Sequence, residues 1–236
     1  MLENRHTVAI MQPYFIPYSG YFRLMVAADT FVLYDCVQFP RRGFVHRNKL
    51  IRTDGILDWL SLPISSCKRE TLIRDLRFQD DWGNWWEKSK RRFLALQNSV
   101  GHAAHLTQII HSCFKEEVSP IELNEVILRE VKKLLKIECE FIRSSDLEIS
   151  SLIKGEDRII AIAKAVGCKT YVNSPGGRNL YDPRKFTESE IDLCFLSNYI
   201  GSYASILERL RTEEAELVKA DLQSQSIVVS NSACSD

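Results

Sequence analysis

The feature that most constrains this chain lies near its start. Two short apolar runs, Val8 to Met11 (VAIM) and Phe31 to Tyr34 (FVLY), bracket a helix-like stretch from Tyr18 to Ala28. Runs of that length suit strands buried on both faces, and Leu24, Met25 and Ala28 give the intervening stretch one apolar side. Strand, helix and strand joined this tightly close as a right-handed parallel crossover, the seed of a doubly wound α/β sheet.

The rest of the chain extends the pattern. LDWLSLPI, TLIRDLRF, CEFIR, KTYVN and DLCFL are predicted strands. Residues from Trp82 to about Ile110 are predicted helical, with Trp82, Trp85, Trp86, Phe93, Leu94 and Leu96 as apolar positions. In SPIELNEVILREVKKLL, Ser119 and Glu122 form a capping box, Pro120 takes the first helical position, and Leu123, Ile127, Val131 and Leu134 share a face. DRIIAIAKAVG is a helix stopped by Gly167, and YASILERLRTEEAELVKADL closes the chain as one amphipathic helix. There is no internal repeat and no low-complexity linker. Residues 1–222 are therefore expected to form a single α/β domain with a helical insertion at about 82–136, followed by a flexible serine-rich tail over 223–236.

Of the 236 residues, 45% are hydrophobic and 26% charged, which is globular composition. Lys plus Arg equals Asp plus Glu at 31 each, and this neutrality argues against a nucleic-acid or anionic-membrane partner. No apolar run reaches the ~18 residues of a membrane span, and MLENRHTVAI lacks the apolar core of a secretory signal. A cytoplasmic location is expected. The seven cysteines are widely spaced without a C-x-x-C pair, so neither a disulfide framework nor a zinc ribbon is indicated. His102 and His105 share a helical face while His111 points away, with no carboxylate to complete a site, so no metal is expected.

Doubly wound sheets bind ligands beyond the carboxyl ends of their strands. The predicted ends deliver Gln12-Pro13-Tyr14, Asp35-Cys36-Val37-Gln38 and Asn173-Ser174-Pro175-Gly176-Gly177 to one edge. The stretch QFPRRGFVHRNKLIRTDG is expected to be a functional loop. Its Arg41, Arg42, His46, Arg47 and Lys49, with Asn48 among them, would make an electropositive lip for phosphate or carboxylate. The alternative is a solvated loop paired with nearby acids. Gly176 and Gly177 allow close backbone approach to a ligand that Arg178 and Tyr181 would fix. Cys36 and His46 have the residue types of a nucleophile pair, although a thiol after a strand is more often inert packing.

Two resemblances sharpen this picture. "PYSGYFRLMVAADTFVLYD" is similar to the strand–loop–H-x-G-H–helix–strand–Asp layout of nucleotidyltransferases and class I synthetases, with Gly20 in register but Tyr18 and Tyr21 where those enzymes have histidines. That likeness implies a parallel Rossmann-like (HUP-like) sheet with a helical insertion, and Tyr18 as a donor to phosphate. More extensively, "IMQPYFIPYSGYFRLM", "FVLYDCVQFPRRGFVHRNKL", "WLSLPI", "SSDL", "YVNSPGGRNLYD" and "YASILERL" resemble the WbqC-like family over most of residues 8 to 210. In that family the segment after the second strand usually reads Tyr-Asp-Asp-Val-Gln-Phe. Here Cys36 replaces the second Asp, which leaves Asp35 as the candidate carboxylate and counts against Cys36 as a nucleophile.

The family resemblance implies a cytoplasmic bacterial protein of surface-polysaccharide, particularly O-antigen, biosynthesis. The expected activity is a transferase forming an amide, by acyl or aminoacyl transfer, on an amino sugar linked to a nucleotide. Asp35 with His46 would take the proton of the attacking amine. Arg42, Arg47 and Lys49 would hold phosphates, while Gln12, Tyr14, Gln38 and Asn48 orient the sugar beside Ser174, Gly176, Gly177 and Tyr181. The expected partner is a nucleotide-sugar or another phosphate-bearing small molecule. The donor would be acyl-CoA or an acyl carrier protein, or ATP would serve instead. The rivals are an adenylate-forming ligase or nucleotidyltransferase with an altered H-x-G-H motif, and a non-catalytic sugar-nucleotide-binding accessory protein.

Overall fold

A computed structural model describes residues 6–97, 101–113 and 118–230. The opening unit is β1 (Thr7–Met11), α1 (Ser19–Val26) and β2 (Thr30–Leu33). A hairpin follows, β3 (Arg47–Ile51) with β4 (Leu57–Ser61), and then four helices: α2 (Trp82–Arg92), α3 (Leu94–Gln97), α4 (Gly101–Cys113) and α5 (Pro120–Leu134). The chain then returns to the sheet through β5 (Glu140–Arg143), α6 (Gly155–Ala165), β6 (Thr170–Asn173), α7 (Pro183–Glu188) and β7 (Asp192–Leu196). It ends with α8 (Ile206–Leu210), α9 (Ala215–Gln225) and β8 (Val228–Ser230).

The main sheet has the order β5-β2-β1-β6-β7-β8. All its pairs are parallel except the last, where β8 runs antiparallel to β7. The chain winds outward from β1 through β2 to β5, then crosses back through α6 to β6 on the other side of β1. This is a Rossmann-like arrangement, and its topological switch point lies between β1 and β6. Alternation along the strands fills both faces, as buried parallel strands require. Ala9, Phe31, Leu33 and Val172 enter one core with α1, while Val8, Ile10, Val32, Tyr171 and Phe195 enter the other with α6. The first core also contains Trp86, Phe93, Leu106 and Ile127, so the helical insertion packs continuously onto the sheet.

Local signals account for several boundaries. The capping box of α5 is present, with Ser119 N–H donating to Glu122 Oε2 at 2.7 Å and Glu122 N–H donating to Ser119 Oγ at 3.4 Å. Gly167 follows the C-cap of α6 at φ +70°, a conformation that favours glycine.

Four expectations are corrected. The stretch read as a basic loop contains β3, whose Asn48 and Leu50 point inward while Arg47 and Lys49 lie on the other side. TLIRDLRF is no strand: it holds a 3-10 turn at Ile73–Asp75, with single bridges from Leu72 to Gln38 and from Phe78 to Ile64. The closing helix is two helices, α8 packing on β3 and α4, and α9 on α1. At the break, Thr212 Oγ1 donates to the Glu208 carbonyl, and Arg209 pairs with both Glu213 and Asp221. Finally, the tail expected to be loose from residue 223 continues α9 to Gln225 and returns as β8. Buried Arg23 fixes it there, donating to Ser197 O and Oγ at 2.9 Å each and to the Gln225 carbonyl. Residues 231–236 of that expectation lie outside the described residues.

Candidate functional site

A cavity of about 530 Å³ opens at the switch point. Gln12 and Tyr14 reach it from the end of β1, Tyr34 and Val37 from beyond β2, Gly155 and Glu156 from the start of α6, and Asn173, Ser174, Gly176, Gly177 and Tyr181 from beyond β6.

The β1 side is held by an unusual density of bonds to backbone carbonyls. Tyr21 OH donates to Gln12 O at 2.8 Å, and Asn124 Nδ2 donates to Pro13 O at 2.9 Å. Asn48 Nδ2 donates to Phe15 O at 3.1 Å and Ile16 O at 2.9 Å, and Ile206 N–H reaches Pro17 O at 2.8 Å. Ile16 adopts φ +41°, uncommon for a β-branched residue, within this over-determined loop. The carbonyls of Gln12, Pro13, Phe15, Ile16 and Pro17 are therefore all engaged, and the side chains of Gln12 and Tyr14 face the cavity from a fixed backbone.

The β6 side is a second fixed wall. Asn173 Nδ2 donates to Tyr181 OH at 3.0 Å, Ser174 N–H donates to Asn173 Oδ1 at 2.7 Å, and the Tyr181 and Tyr171 hydroxyls lie 3.1 Å apart. A Cβ on Gly177 would stand 2.7 Å from Asn173 Nδ2, so a side chain there would displace the Asn173 amide that bonds Tyr181. A Cβ on Gly176, which lines the cleft, would meet nothing within 4 Å, so a side chain is accommodated at that position. Burial pushes the Tyr34 hydroxyl up to about 12 and raises those of Tyr14 and Tyr181, so all three are neutral hydrogen-bonding groups near pH 7. Glu156 is the one carboxylate in the lining among the described residues; it accepts from Asp182 N–H, and its Oε2 lies 3.1 Å from Lys185 Nζ.

Gln12, Tyr14, Ser174, Gly176, Gly177 and Tyr181 are thus brought together as expected from the strand ends. The other expected site residues lie elsewhere. Asp35 is fully buried and does not line the cavity. Ser144 Oγ and Ser145 N–H donate to its Oδ1 at 2.8 and 3.0 Å, and Ser145 Oγ donates to its Oδ2 at 2.6 Å. This carboxylate ties the end of β2 to the end of β5. His46 is not beside it: the ring lies edge-on to Phe39 at 5.0 Å and faces a separate hollow of about 360 Å³ with Arg41 and Cys67. Burial, with help from Arg47, lowers His46 to about 4, so the imidazole is neutral at pH 7. Cys36 Sγ approaches Ser144 Oγ at 2.9 Å and accepts from Arg158 Nη2 at 3.0 Å, with no histidine in that set.

The basic residues are also accounted for locally. The Arg47 guanidinium lies 4.4 Å from the Trp59 ring centroid and donates to Gly43 O and Arg42 O. Lys49 Nζ lies 5.3 Å from the same ring, across the hairpin. Arg42 and Gln38 are exposed outside the cavity, and Gln38 Nε2 donates to Arg69 O. Asn48 is fully buried as the clamp described above. Tyr18 packs against Tyr199 and Tyr203, with centroids at 5.5 and 4.9 Å. A Cβ on Gly20 would come within 2.4 Å of the Tyr18 ring and 2.8 Å of Tyr199, so ring packing explains this glycine without a phosphate. Burial, reinforced chiefly by Tyr203, raises Tyr18 to about 12.

The residues given no role beforehand are Tyr34 and Glu156 in the cleft, and Ser144, Ser145 and Arg158 behind it; Asn173 was named at its strand end but assigned no role. Asn173 closes a predicted strand and Tyr34 ends another, so both stood at legible positions. Among the described residues, no group of three or more His, Cys, Asp or Glu could hold a metal ion, and no helix is long and apolar enough to cross a membrane.

Comparison with known proteins agrees with the extent of this architecture. A family model described as the WbqC-like protein family matches residues 12–208, which includes every residue of the cavity lining except Ile10 and Met11. An uncharacterized protein of Mycobacterium tuberculosis is 29% identical over 195 residues, covering 78% of this chain and 79% of the relative. No solved structure matches the chain. With the match running from the β1 end of the cleft through α6, β6 and β7 to α8, the chain belongs to the WbqC-like protein family.

Proposed function

We propose that this protein is a transferase that forms an amide, by acyl or aminoacyl transfer, on the amine of a nucleotide-linked sugar bound in the switch-point cleft, within surface-polysaccharide biosynthesis. The observation that carries the reading is the cavity itself: it lies where Rossmann-like sheets take their ligands, and it offers amide, hydroxyl and carboxylate groups suited to sugar hydroxyls. Gln12, Asn173 and Ser174 would orient the sugar, and the glycines at 176 and 177 would let its backbone contacts come close. Glu156, in place of Asp35, would accept the proton of the attacking amine, since it is the carboxylate that faces the ligand space. The donor in this proposal is an acyl-CoA or acyl-carrier-protein thioester: its C–S bond breaks as the amide C–N bond forms, and the departing thiolate takes the proton that Glu156 removes from the amine.

One observation favours a second reading, a sugar-nucleotide-binding accessory protein without turnover. Glu156 already accepts a backbone N–H and pairs with Lys185, a setting that also suits a purely structural acid. A thermal-shift screen with nucleotides, nucleotide-linked amino sugars and acyl donors separates the possibilities, because binding to the native state raises the melting temperature. A shift with the nucleotide-sugar and product formation on adding donor supports the transferase. A shift without turnover supports the accessory reading, and no shift with any nucleotide-sugar refutes both.

A further inference from the structure

A second cavity, of about 610 Å³, lies further along the carboxyl edge of the sheet, at the end of β5. Arg143, the last residue of β5, forms one side; Arg74 and Arg77, from the segment between β4 and α2, form another. The Arg74 N–H donates to the Asp35 carbonyl at 3.0 Å, which anchors this segment to the end of β2. Phe78 and Trp82 supply a flat wall, their rings stacked 4.0 Å apart at an interplanar angle of 1°.

The charges here are arranged unevenly. Glu122 is committed to its capping box, where Ser119 N–H and Oγ both donate to Oε2 at 2.7 Å. Arg143 pairs with Glu125, which also takes Arg129. Among the described residues Arg74 pairs with Asp75 alone, at 3.9 Å. Arg77 donates to the Leu76 carbonyl at 2.8 Å and makes no ion pair within 4 Å among the described residues; the Glu122 carboxyl, held below its ordinary range first by the Ser119 hydrogen bonds, is lowered further by Arg143 and Arg77. Asp80, three residues on from Arg77, also lines the cavity and has no cation partner among the described residues. A guanidinium without an ion pair, with a weakly paired one beside it, fits a phosphate, for which arginine offers a fork of donors. An acceptor-only carboxylate in the same lining fits hydroxyl groups, and an aromatic wall fits a ring's C–H face.

We propose that this cavity binds a phosphorylated polyol such as a sugar phosphate, with its phosphate on Arg74, Arg77 and Arg143 and its hydroxyls donating to Asp80. This site is separate from the switch-point cleft and does not depend on the function assigned to that cleft. Trp82 in the wall gives a direct optical signal. The test titrates the full chain with inorganic phosphate and with glucose 1-phosphate, following tryptophan fluorescence and calorimetric heat. Saturable binding of both is expected, with glucose 1-phosphate the tighter. Arg77→Ala, a change at an exposed side chain, should weaken both by about tenfold, the scale of one charge-assisted hydrogen bond. Asp80→Asn should narrow the gap between the two ligands, and Gly176→Val, in the other cleft, should change neither. Absence of saturable binding would overturn the proposal. So would undiminished binding by a folded Arg77→Ala protein, or loss of binding in Gly176→Val.

Discussion

Asn48 tests whether the loop after β1 is a scaffold or a ligand contact. Its amide donates to two carbonyls of fully buried residues, Phe15 O and Ile16 O, and its Oδ1 accepts from Lys49 N–H at 2.8 Å. Asn48→Ala removes both donors and leaves two buried acceptors unpaired, at about 1–3 kcal/mol each. The expected loss is about 2–6 kcal/mol, a large fraction of the roughly 5–15 kcal/mol that holds a typical domain folded. Chemical denaturation monitored by tryptophan fluorescence and by circular dichroism measures it, and an unchanged slope with a lower midpoint marks a stability effect. Asn48→Asp keeps the shape but turns carboxylate oxygens towards two carbonyl oxygens, so it should be at least as damaging at pH 7. Protonation restores one donor, and the Asp variant should therefore recover part of its stability as pH falls. A ligand-contact role predicts the reverse: stability within about 0.5 kcal/mol of the parent, as for a surface change, with weakened ligand binding. A loss below 1 kcal/mol in the Ala variant would refute the clamp.

Gly176→Val should leave the melting temperature close to the parent, because the new side chain meets open space, while abolishing ligand-induced thermal shifts; retained shifts would mean that the cleft is not where the ligand sits. Glu156→Gln should leave nucleotide-sugar binding within a few-fold but cut turnover by about 10²-fold or more, the scale of general-base assistance, and full turnover in a folded variant would remove the base from the mechanism. His46 is neutral when folded and has a depressed value near 4, so the unfolded chain binds its proton first: its contribution to stability is complete above about pH 6.5 and is lost as pH falls towards 4. Melting temperatures of His46→Gln should decline less over that window than those of the parent, and parallel curves would count against the assignment. Cys36→Ser should fold and function, since a hydroxyl can also accept from Arg158 and bond Ser144; loss of turnover with intact stability would reinstate a thiol role.

The sheet was legible because its strands are short apolar runs that end abruptly in polar or glycine residues. The same ends yielded Gln12, Tyr14, Ser174, Gly176, Gly177 and Tyr181, since a parallel sheet must deliver them to one edge. What sequence proximity could not reveal was which polar groups turn inward. Asn48 sits among arginines and looks like part of a basic lip, but the alternation of β3 buries it beneath them. Asp35 looks like a free acid at a strand end, yet its partners Ser144 and Ser145 arrive from over a hundred residues away. β8 was hidden for the same reason, because Arg23 holds it in place from the first helix.

That arginine links the order of synthesis to the order of folding. Its guanidinium is buried against Ser197 and the Gln225 carbonyl, groups made roughly two hundred residues later. While a nascent chain lacks them, Arg23 keeps its hydration and α1 cannot seat fully, because a buried cation without acceptors is costly. Over the same interval β7 presents an open edge, the template for unwanted strand pairing, until Val228–Ser230 covers it. One late event therefore completes the docking of α1 and replaces the open edge of β7 with an edge strand only three residues long, so cooperative folding waits on the arrival of β8.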